Sequence, residues 1–157
     1  MGIEIERKYL IKEDLWSSVD KGKGIYYKQG YLLTDPNKTI RIRISDRNAF
    51  LTIKSSTKGA SRLEFEYEIP LKDAQELLDA FSVSSISKIR YEVEYAGKIW
   101  EVDEFLEDNQ GLIVAEIELR SETESFELPG WIAKEVTEEI KYYNSNLSMK
   151  PFITWEK

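Results

Sequence analysis

The sequence contains neither cysteine nor histidine among its 157 residues. The absence of cysteine excludes disulfides and thiolate catalysis, and it fits a reducing compartment. The absence of histidine excludes Ser-His-Asp and Cys-His catalysis, as well as zinc sites built on imidazole. Any chemistry must therefore use carboxylates, lysine, arginine, tyrosine, hydroxyl groups or a bound ion.

A long apolar run is also missing, since no stretch approaches the roughly 20 residues that cross a bilayer. Glu4 and Glu6 occupy the region where a signal peptide would need apolar residues. The net charge of −7 argues against general adhesion to nucleic acid or anionic membranes, while it leaves room for a local cationic pocket. We expect a soluble, cytoplasmic protein with a single domain over residues 1–157 and with no nucleic-acid or membrane partner.

Two-residue alternation of apolar and polar side chains, the period of a β-strand, dominates the chain. The segments that carry it are Ile3–Ile11, Ile25–Leu33, Thr39–Ser45, Ala49–Lys54, Arg62–Ile69, Ser87–Tyr95, Lys98–Phe105 and Leu112–Arg120. Helical patterns occur at Lys12–Ser18, Leu71–Phe81 and Trp131–Leu147. Short turns between the strands favour antiparallel hairpins. The sequence predicts a mainly β, α+β fold: a closed or nearly closed eight-stranded antiparallel barrel with helices packed outside.

The predicted strands have one apolar face and one face that is almost entirely ionic. The ionic face carries Glu4, Glu6, Lys8, Arg41, Arg43, Lys54, Arg62, Glu64, Glu66, Glu68, Lys88, Arg90, Glu92, Glu94, Glu101, Asp103, Glu116, Glu118 and Arg120. One explanation is a sheet whose charges lie in water, although solvated faces usually also contain Thr, Ser, Gln and Asn. The alternative is a barrel with polar residues inside and apolar residues outside. Alternation alone does not decide which face lies inside.

An ionic interior of this composition suits a phosphate compound and a metal ion together. Arginine and lysine bind chains of phosphates, and carboxylates bind hard divalent ions such as Mg²⁺ or Mn²⁺. Phosphoryl transfer needs both groups and little covalent help from the protein. Because a metal ion can also activate water, the lack of histidine is no obstacle to hydrolysis.

The chain opens with Glu4-Ile5-Glu6-Arg7-Lys8, which resembles the N-terminal ExExK signature of the CYTH superfamily, the triphosphate tunnel metalloenzymes. The resemblance runs nearly from end to end. It continues through Gln29-Gly30-Tyr31-Leu32, Arg41-x-Arg43, Leu51-Thr52-Ile53-Lys54, Arg62-x-Glu64-x-Glu66, Lys88-x-Arg90-Tyr91, Glu101-Val102-Asp103, Glu116-Ile117-Glu118 and Glu135-Val136-Thr137-Glu138-Glu139, up to Asn144. The ordered set is far more specific than ExExK alone.

The resemblance implies a closed eight-stranded tunnel whose charged interior binds a triphosphate and a divalent metal, Mg²⁺ or Mn²⁺. The metal ligands that it implies are Glu4, Glu6, Asp103, Glu116 and Glu118. The substrate-binding residues that it implies are Lys8, Arg41, Arg43, Lys54, Arg62, Lys88, Arg90 and Lys141, although Ile140-Lys141-Tyr142 departs from the commoner family pattern. The resemblance also implies that Arg62, Glu64 and Glu66 line the tunnel. Catalytic roles fall to Glu4, Glu6, Lys8 and Glu66, whereas Glu92, Glu94 and Glu101 are expected to be solvated or paired.

We favour hydrolysis of inorganic triphosphate, because the chain is short, resembles compact bacterial members of the family and lacks an obvious nucleoside- or RNA-binding module. Three alternatives stay open at this point. The protein could be a class IV-type adenylate cyclase that converts ATP to cyclic AMP and pyrophosphate, a non-catalytic polyphosphate or nucleotide sensor, or an acidic structural barrel. The oligomeric state, monomer or homodimer, and the role of the C-terminal helix are also open.

Overall fold

In the computed structural model, which describes residues 2–35 and 37–156, nine β-strands form the framework of the molecule. The strands are β1 (Ile3–Ile11), β2 (Ile25–Asp35), β3 (Lys38–Ser45), β4 (Asn48–Ser55), β5 (Ser61–Ile69), β6 (Ser84–Tyr95), β7 (Lys98–Phe105), β8 (Ile113–Glu118) and β9 (Ile132–Glu135). The α-helices are α1 (Glu13–Trp16), α2 (Leu71–Phe81) and α3 (Asn144–Met149). Short 3-10 helices span Glu107–Asn109, Ile140–Tyr142 and Phe152–Thr154.

Eight of the strands close into an antiparallel barrel, which confirms the predicted fold class. The strand order is β5-β4-β3-β2-β6-β7-β8-β1, and a further pairing of β1 with β5 closes the sheet. Closure leaves no long strand edge around the wall. None of the helices among the described residues has the length and apolar character needed to cross a membrane.

The strand β1 exchanges one partner for another along its length. Its first part pairs with β5, from Ile3↔Leu63 to Ile5↔Ser61, and its last part pairs with β9, at Tyr9↔Glu135 and Ile11↔Ile132. The backbone groups of β1 beyond β5 would otherwise lack hydrogen-bond partners on that side. The strand β9 therefore extends the wall of the barrel past the point where β5 ends.

The predicted helix over Trp131–Leu147 is wrong. That segment instead forms β9, the 3-10 helix at Ile140–Tyr142 and α3. Its apolar residues do follow a helical spacing, but Ile132 belongs to a cluster outside the barrel and Val136 to a cluster inside it. The long-range bond from the Val136 N–H to the Lys8 carbonyl, at 2.7 Å, fixes an extended backbone that local periodicity does not reveal.

Apolar side chains cover most of the outer wall. On one side Trp16 of α1, Trp131 and Leu119 pack on the outward residues of β1, β7 and β8. On the other side Ala74 and Leu78 of α2 pack on β3 and β4. This is the covering that was predicted for an inverted barrel, with the apolar face outward.

One end of the barrel interior is apolar as well. The residues Tyr31, Ile86, Phe105 and Val114 belong to one cluster with Leu147 of α3, which is fully buried. Each of these four residues either lies two positions along its strand from a charged residue of the interior or pairs directly with such a residue on the next strand. All four side chains therefore point inward. Whereas α1 and α2 pack outside as predicted, α3 fills this end of the barrel.

Candidate active site

The structure places the ionic face inside the barrel. The charged residues that are buried there are Glu4, Lys8, Arg41, Lys54, Lys88, Arg90, Asp103 and Glu116. Burying so many charges is costly unless they pair with one another or with a ligand. Their pairing is therefore the first thing to examine.

These side chains surround a cavity of about 190 Å³ in the other half of the barrel interior. Its lining consists of Glu4, Glu6, Arg41, Arg43, Lys54, Arg62, Glu64, Glu66, Lys88, Arg90, Glu101, Glu116, Glu118 and Asn144. All the site residues predicted from the sequence belong to this lining, except Lys8, Asp103 and Lys141.

The three exceptions occupy different places. Lys8 lies behind the lining, with its Nζ 3.1 Å from a carboxylate oxygen of Glu116. Asp103 on β7 also lies behind the lining and accepts a 2.7 Å hydrogen bond from Lys88 Nζ. Lys141 is exposed, and its Nζ lies 4.8 Å from the centre of the Trp155 ring on the outside of the molecule. The fold thus brings together every predicted residue except Lys141.

Sequence reasoning gave no role in the site to two residues that line the cavity, Glu101 and Asn144. Glu101 accepts a 3.2 Å hydrogen bond from Arg90, so of the two expected environments, solvated or paired, it has the paired one. Asn144 Oδ1 accepts one from Lys88 Nζ, also at 3.2 Å. Glu101 lies two residues from Asp103 on β7 and therefore on the same strand face, which could have indicated its place in the cavity. No local pattern indicates Asn144, because it reaches the cavity only through the path of the C-terminal segment.

The basic side of the cavity is best represented by Arg41 and Arg43 on β3. Both guanidinium groups lie near Glu66, at 3.9 Å and 3.5 Å. The Nε atoms of both arginines are buried without a hydrogen-bond partner among the described residues. Burial and the neighbouring Arg41 and Arg90 lower the pKa of Arg43. This wall therefore has unused hydrogen-bond donors and a surplus of positive charge, which is what an anionic ligand would complement.

Arg90 connects the basic side with the acidic side. It forms two hydrogen bonds with Asp103, from Nε at 2.8 Å and from Nη2 at 2.9 Å, and a third with Glu116 at 3.2 Å. Lys88 beside it is completely buried, and burial together with Arg90 lowers the pKa of Lys88 to about 8 despite the opposing effect of Asp103. Burial therefore disfavours the charged form of Lys88.

The acidic side is formed by β1 and β8, where Glu6 lies opposite Glu118 and Lys8 opposite Glu116. Burial and the carboxylates of Glu116 and Glu4 raise the pKa of Glu6 well above its usual range. Burial and the carboxylates of Glu4 and Glu64 also raise the pKa of Glu118. Burial is the larger cause of both shifts and repulsion between carboxylates is the smaller one; a bound cation would oppose both.

Glu4 behaves differently from Glu6 although both lie on β1. Burial opposes its ionisation, but Lys54 and Arg62 outweigh burial and lower the pKa of Glu4 to about 2. The distances from its carboxylate are 3.3 Å to Lys54 Nζ and 3.0 Å to Arg62 Nε. Glu4 is therefore ionised at any physiological pH.

The donor set fits a hard divalent cation, since it consists of carboxylate oxygens, the ligands that such ions prefer. Within residues 2–35 and 37–156, no three carboxylates already stand together in the arrangement of a metal site. Glu4, Asp103 and Glu116 are instead engaged with lysines and arginines. A metal ion and a polyanion entering together would allow an exchange of partners, in which the carboxylates turn to the metal and the cations to the anion.

A family model described as the CYTH domain matches residues 2–150 of the chain. The chain belongs to the CYTH domain family. This CYTH protein is 44% identical over 153 residues to an inorganic triphosphatase of Acetivibrio thermocellus, with 97% of both chains covered. It is 32% identical over 153 residues to an inorganic triphosphatase of Nitrosomonas europaea, with 93% of this chain and 97% of that protein covered. The crystal structure of an inorganic triphosphatase matches with a TM-score of 0.65 at 30% identity, covering 95% of this chain and 96% of the other.

Proposed function

We propose that this CYTH protein hydrolyses inorganic triphosphate to pyrophosphate and orthophosphate with the help of a divalent metal ion. The observation that carries the proposal is the cavity itself, in which arginines whose Nε donors have no partner among the described residues share the lining with the carboxylates of Glu4, Glu6, Glu116 and Glu118. Relatives at 44% and 32% identity that are named inorganic triphosphatase support the choice of reaction.

The size of the cavity supports an inorganic rather than a nucleoside substrate. Its volume of about 190 Å³ lies below the roughly 300–1,000 Å³ of pockets that enclose drug-sized ligands. A compact polyanion needs no apolar surface for a base or a sugar, and the charged lining offers none. We therefore place a chain of three phosphates, and no nucleoside, inside the barrel.

The cations of the lining would hold the phosphates. Arg41 and Arg43 offer planar donor groups, and Lys88 offers a point charge whose pKa the bound anion would raise again. The substrate-binding set of this proposal is Lys8, Arg41, Arg43, Lys54, Arg62, Lys88 and Arg90. Lys8, whose Nζ lies behind the lining 3.1 Å from a carboxylate oxygen of Glu116, would turn from that carboxylate to the phosphates.

The carboxylates Glu4, Glu6, Asp103, Glu116 and Glu118 would hold the metal ion, Mg²⁺ or Mn²⁺. When bound, such an ion neutralises charge on the phosphate oxygens and makes water a better nucleophile. Glu4 and Glu6 would place it beside the substrate.

Glu66 would orient the attacking water. Its carboxylate accepts a 3.1 Å hydrogen bond from Thr52 Oγ1 and lies beside Arg41 and Arg43, where the terminal phosphate would bind. The water oxygen would bond to the terminal phosphorus while the bridging P–O bond breaks in line with it. The proton of the water would pass to Glu66, and pyrophosphate would leave toward the lysines.

The test is to measure the release of orthophosphate and cyclic AMP from tripolyphosphate, ATP and thiamine triphosphate, with Mg²⁺, with Mn²⁺ and with EDTA. We expect orthophosphate release from tripolyphosphate at the highest kcat/KM, and its loss in EDTA. Cyclic AMP and pyrophosphate from ATP would replace the proposal with a cyclase. Tight binding of tripolyphosphate without turnover in either metal would replace it with a sensor.

A further inference from the structure

One polar side chain is fully buried inside the barrel at the border between its charged half and its apolar half. Gln29 on β2 is 0% exposed. In the sheet register it lies directly opposite Ile86 of the apolar half on β6 and directly opposite Arg43 of the charged half on β3. Because directly opposite residues of an antiparallel pair share one face of the sheet, Gln29 points inward together with Arg43.

The amide of Gln29 is poorly satisfied where it lies. Its Oε1 has no hydrogen-bond partner within residues 2–35 and 37–156, and its Nε2 donates to Tyr31 Oη over a long 3.4 Å. Burying an amide oxygen without a partner is costly, whereas an apolar side chain of similar shape would fill the same space without that cost. Packing alone therefore does not account for a glutamine at this position.

The unpaired oxygen lies opposite an unpaired donor. The Nε of Arg43 is buried without a hydrogen-bond partner among the described residues, like the Nε of Arg41. The register of β2 and β3 stays regular from Gln29↔Arg43 to Tyr31↔Arg41. Since Cβ atoms of directly opposite residues lie about 4.5–5.5 Å apart, the amide is within reach of the Arg43 side chain.

The other groups around Arg43 leave its Nε–H unpaired. The centres of the Tyr27 and Phe50 rings lie 4.9 Å and 5.9 Å from the guanidinium carbon. Such ring faces attract the cation but do not fix the direction of its N–H groups as an oxygen acceptor does. Glu66 lies 3.5 Å from Nη2, and it has to release Arg43 when a phosphate takes its place.

The backbone at Gln29 is held in place from the outside of the barrel. The next residue, Gly30, faces α2 so closely that a Cβ atom there would come within 2.1 Å of Leu78 Cδ2. This close contact seats β2 against the helix. The amide of Gln29 therefore extends into the barrel from a fixed base.

We propose that Gln29 is a positioning residue for Arg43: its amide oxygen accepts a hydrogen bond from the Arg43 Nε–H when the guanidinium turns from Glu66 to a phosphate of the substrate. The inference rests on the proposed function and adds a residue that does not touch the substrate. An amide oxygen is a neutral acceptor, so it orients the arginine without cancelling the charge that the phosphate needs. A carboxylate in its place would compete with the phosphate for the same cation.

A double-mutant cycle with tripolyphosphate and Mg²⁺ tests whether Gln29 acts through Arg43. Gln29→Met removes the amide and keeps the length of the side chain. We expect it to lower kcat/KM about tenfold, mainly by raising KM, because a hydrogen bond to a charged group is lost. In the Arg43→Ala background the same change should alter kcat/KM by less than about twofold. Equal losses in the two backgrounds, or a Gln29→Met protein with the kcat/KM of wild type, would overturn the proposal.

Ile86→Val is the matched control, because Ile86 is buried directly opposite Gln29 on the side away from Arg43. It should lower the free energy of unfolding and leave kcat/KM unchanged. Gln29→Met should do the reverse, since it removes an unpaired buried amide while it lowers kcat/KM. If Gln29→Met lost as much stability as Ile86→Val, its effect on activity would be assigned to packing and the proposal would fail.

Binding of tripolyphosphate to the four proteins of the cycle, measured by calorimetry with Mg²⁺, separates this inference from the proposed function. Turnover with equal losses in the two backgrounds would remove the inference alone. Binding without turnover would remove the proposed function alone, and the cycle would then be read from Kd with the same expected ratios. A wild-type protein that neither binds nor hydrolyses tripolyphosphate would contradict both.

Discussion

Lys88 and Ile86 lie two residues apart on β6, point into the same barrel and are both almost inaccessible to solvent, yet their surroundings are opposite. Lys88 is bound to Asp103 at 2.7 Å inside the charged half. Ile86 packs with Leu147 inside the apolar half. Asp103 and Phe105 repeat the same contrast on β7. A single step of two residues along each strand thus separates the two halves.

The contrast suggests that the charged half and the apolar half of the barrel interior have different roles. A buried ion pair is often no more stabilising than apolar residues of the same volume, and here burial disfavours the charged forms of Arg43 and Glu6. The apolar half, by contrast, is filled and closed by α3. We infer that the charged half is kept for binding and chemistry, while the apolar half contributes the stability that the charged half lacks.

The largest effect on activity is expected from the charged half. Replacing Arg41 or Arg43 by Ala should lower kcat/KM for tripolyphosphate by about 10²–10³-fold, because charge-assisted bonds to the phosphates are lost. The free energy of unfolding should stay the same or rise, since positive charges repel one another there. Steady-state kinetics and urea unfolding measure both quantities.

Arg120→Ala is the matched control for these two variants, because Arg120 is exposed and lies outside the cavity. It should leave kcat/KM unchanged. If Arg43→Ala kept full activity, the basic side would not bind the substrate.

The apolar half should respond in the opposite way. Leu147→Ala removes a completely buried side chain from the cluster that closes the barrel, and it should cost about 2–5 kcal/mol of unfolding free energy. Met149 of the same helix is 55% exposed, so Met149→Ala should change stability by less than about 0.5 kcal/mol. At a temperature where Leu147→Ala is folded, its kcat should remain within about threefold of wild type. A large fall of kcat with little loss of stability would remove the distinction between the halves.

The pH dependence of activity and of stability should separate the part that Lys88 plays in substrate binding from its effect on stability. Burial and Arg90 lower the pKa of Lys88 to about 8, so kcat/KM for tripolyphosphate should fall as pH rises through about 8 and the free protein loses this charge. The contribution of Lys88 to stability should rise from pH 8 toward its ordinary pKa of 10.5, because there the unfolded state binds a proton that the folded state does not. Activity and stability should therefore move in opposite directions.

Lys88→Arg provides the control for this pH profile, because arginine keeps its charge throughout the range. Its kcat/KM should lack the descent near pH 8. An identical descent in wild type and variant would assign the titration to another group.

The smallest effect is expected at the border of the two halves, where Val136 faces the apolar cluster and Thr137 the charged one. Thr137 Oγ1 accepts a 3.0 Å hydrogen bond from the Lys8 backbone N–H. Thr137→Val should cost about 1 kcal/mol of stability and lower kcat/KM about fivefold, whereas Thr137→Ser should restore both. Failure of Ser to restore activity would mean that the methyl group, rather than the hydroxyl, matters.

Much of the barrel could be predicted from the sequence, because the alternation of apolar and polar residues indicates β-strands. The bounds of β1, β7 and α2 match the predicted ones residue for residue. The ionic face was also visible as a set. Alternation alone could not assign the ionic face to the interior, because a solvated sheet and an inverted barrel have the same alternating pattern. The resemblance to the family indicated the interior.

What the sequence could not give depends on distant contacts. The strand β9 exists because β5 leaves part of β1 unpaired, and no local pattern in residues 132–135 records that fact. The family resemblance implied that Lys141 binds the substrate, but the actual path turns its side chain toward Trp155 on the outside. Asn144 reaches the cavity along the same path.

The central claim is that the charged half serves function rather than stability, and Glu6→Gln tests it most directly. Glutamine resembles the neutral carboxyl that the raised pKa of Glu6 favours, but it is a poor metal ligand. We predict that turnover of tripolyphosphate with Mg²⁺ falls at least about 100-fold, while the free energy of unfolding measured on the same sample stays equal or rises. Turnover within a few-fold of wild type, or a loss of stability as large as that of Leu147→Ala, would contradict the account.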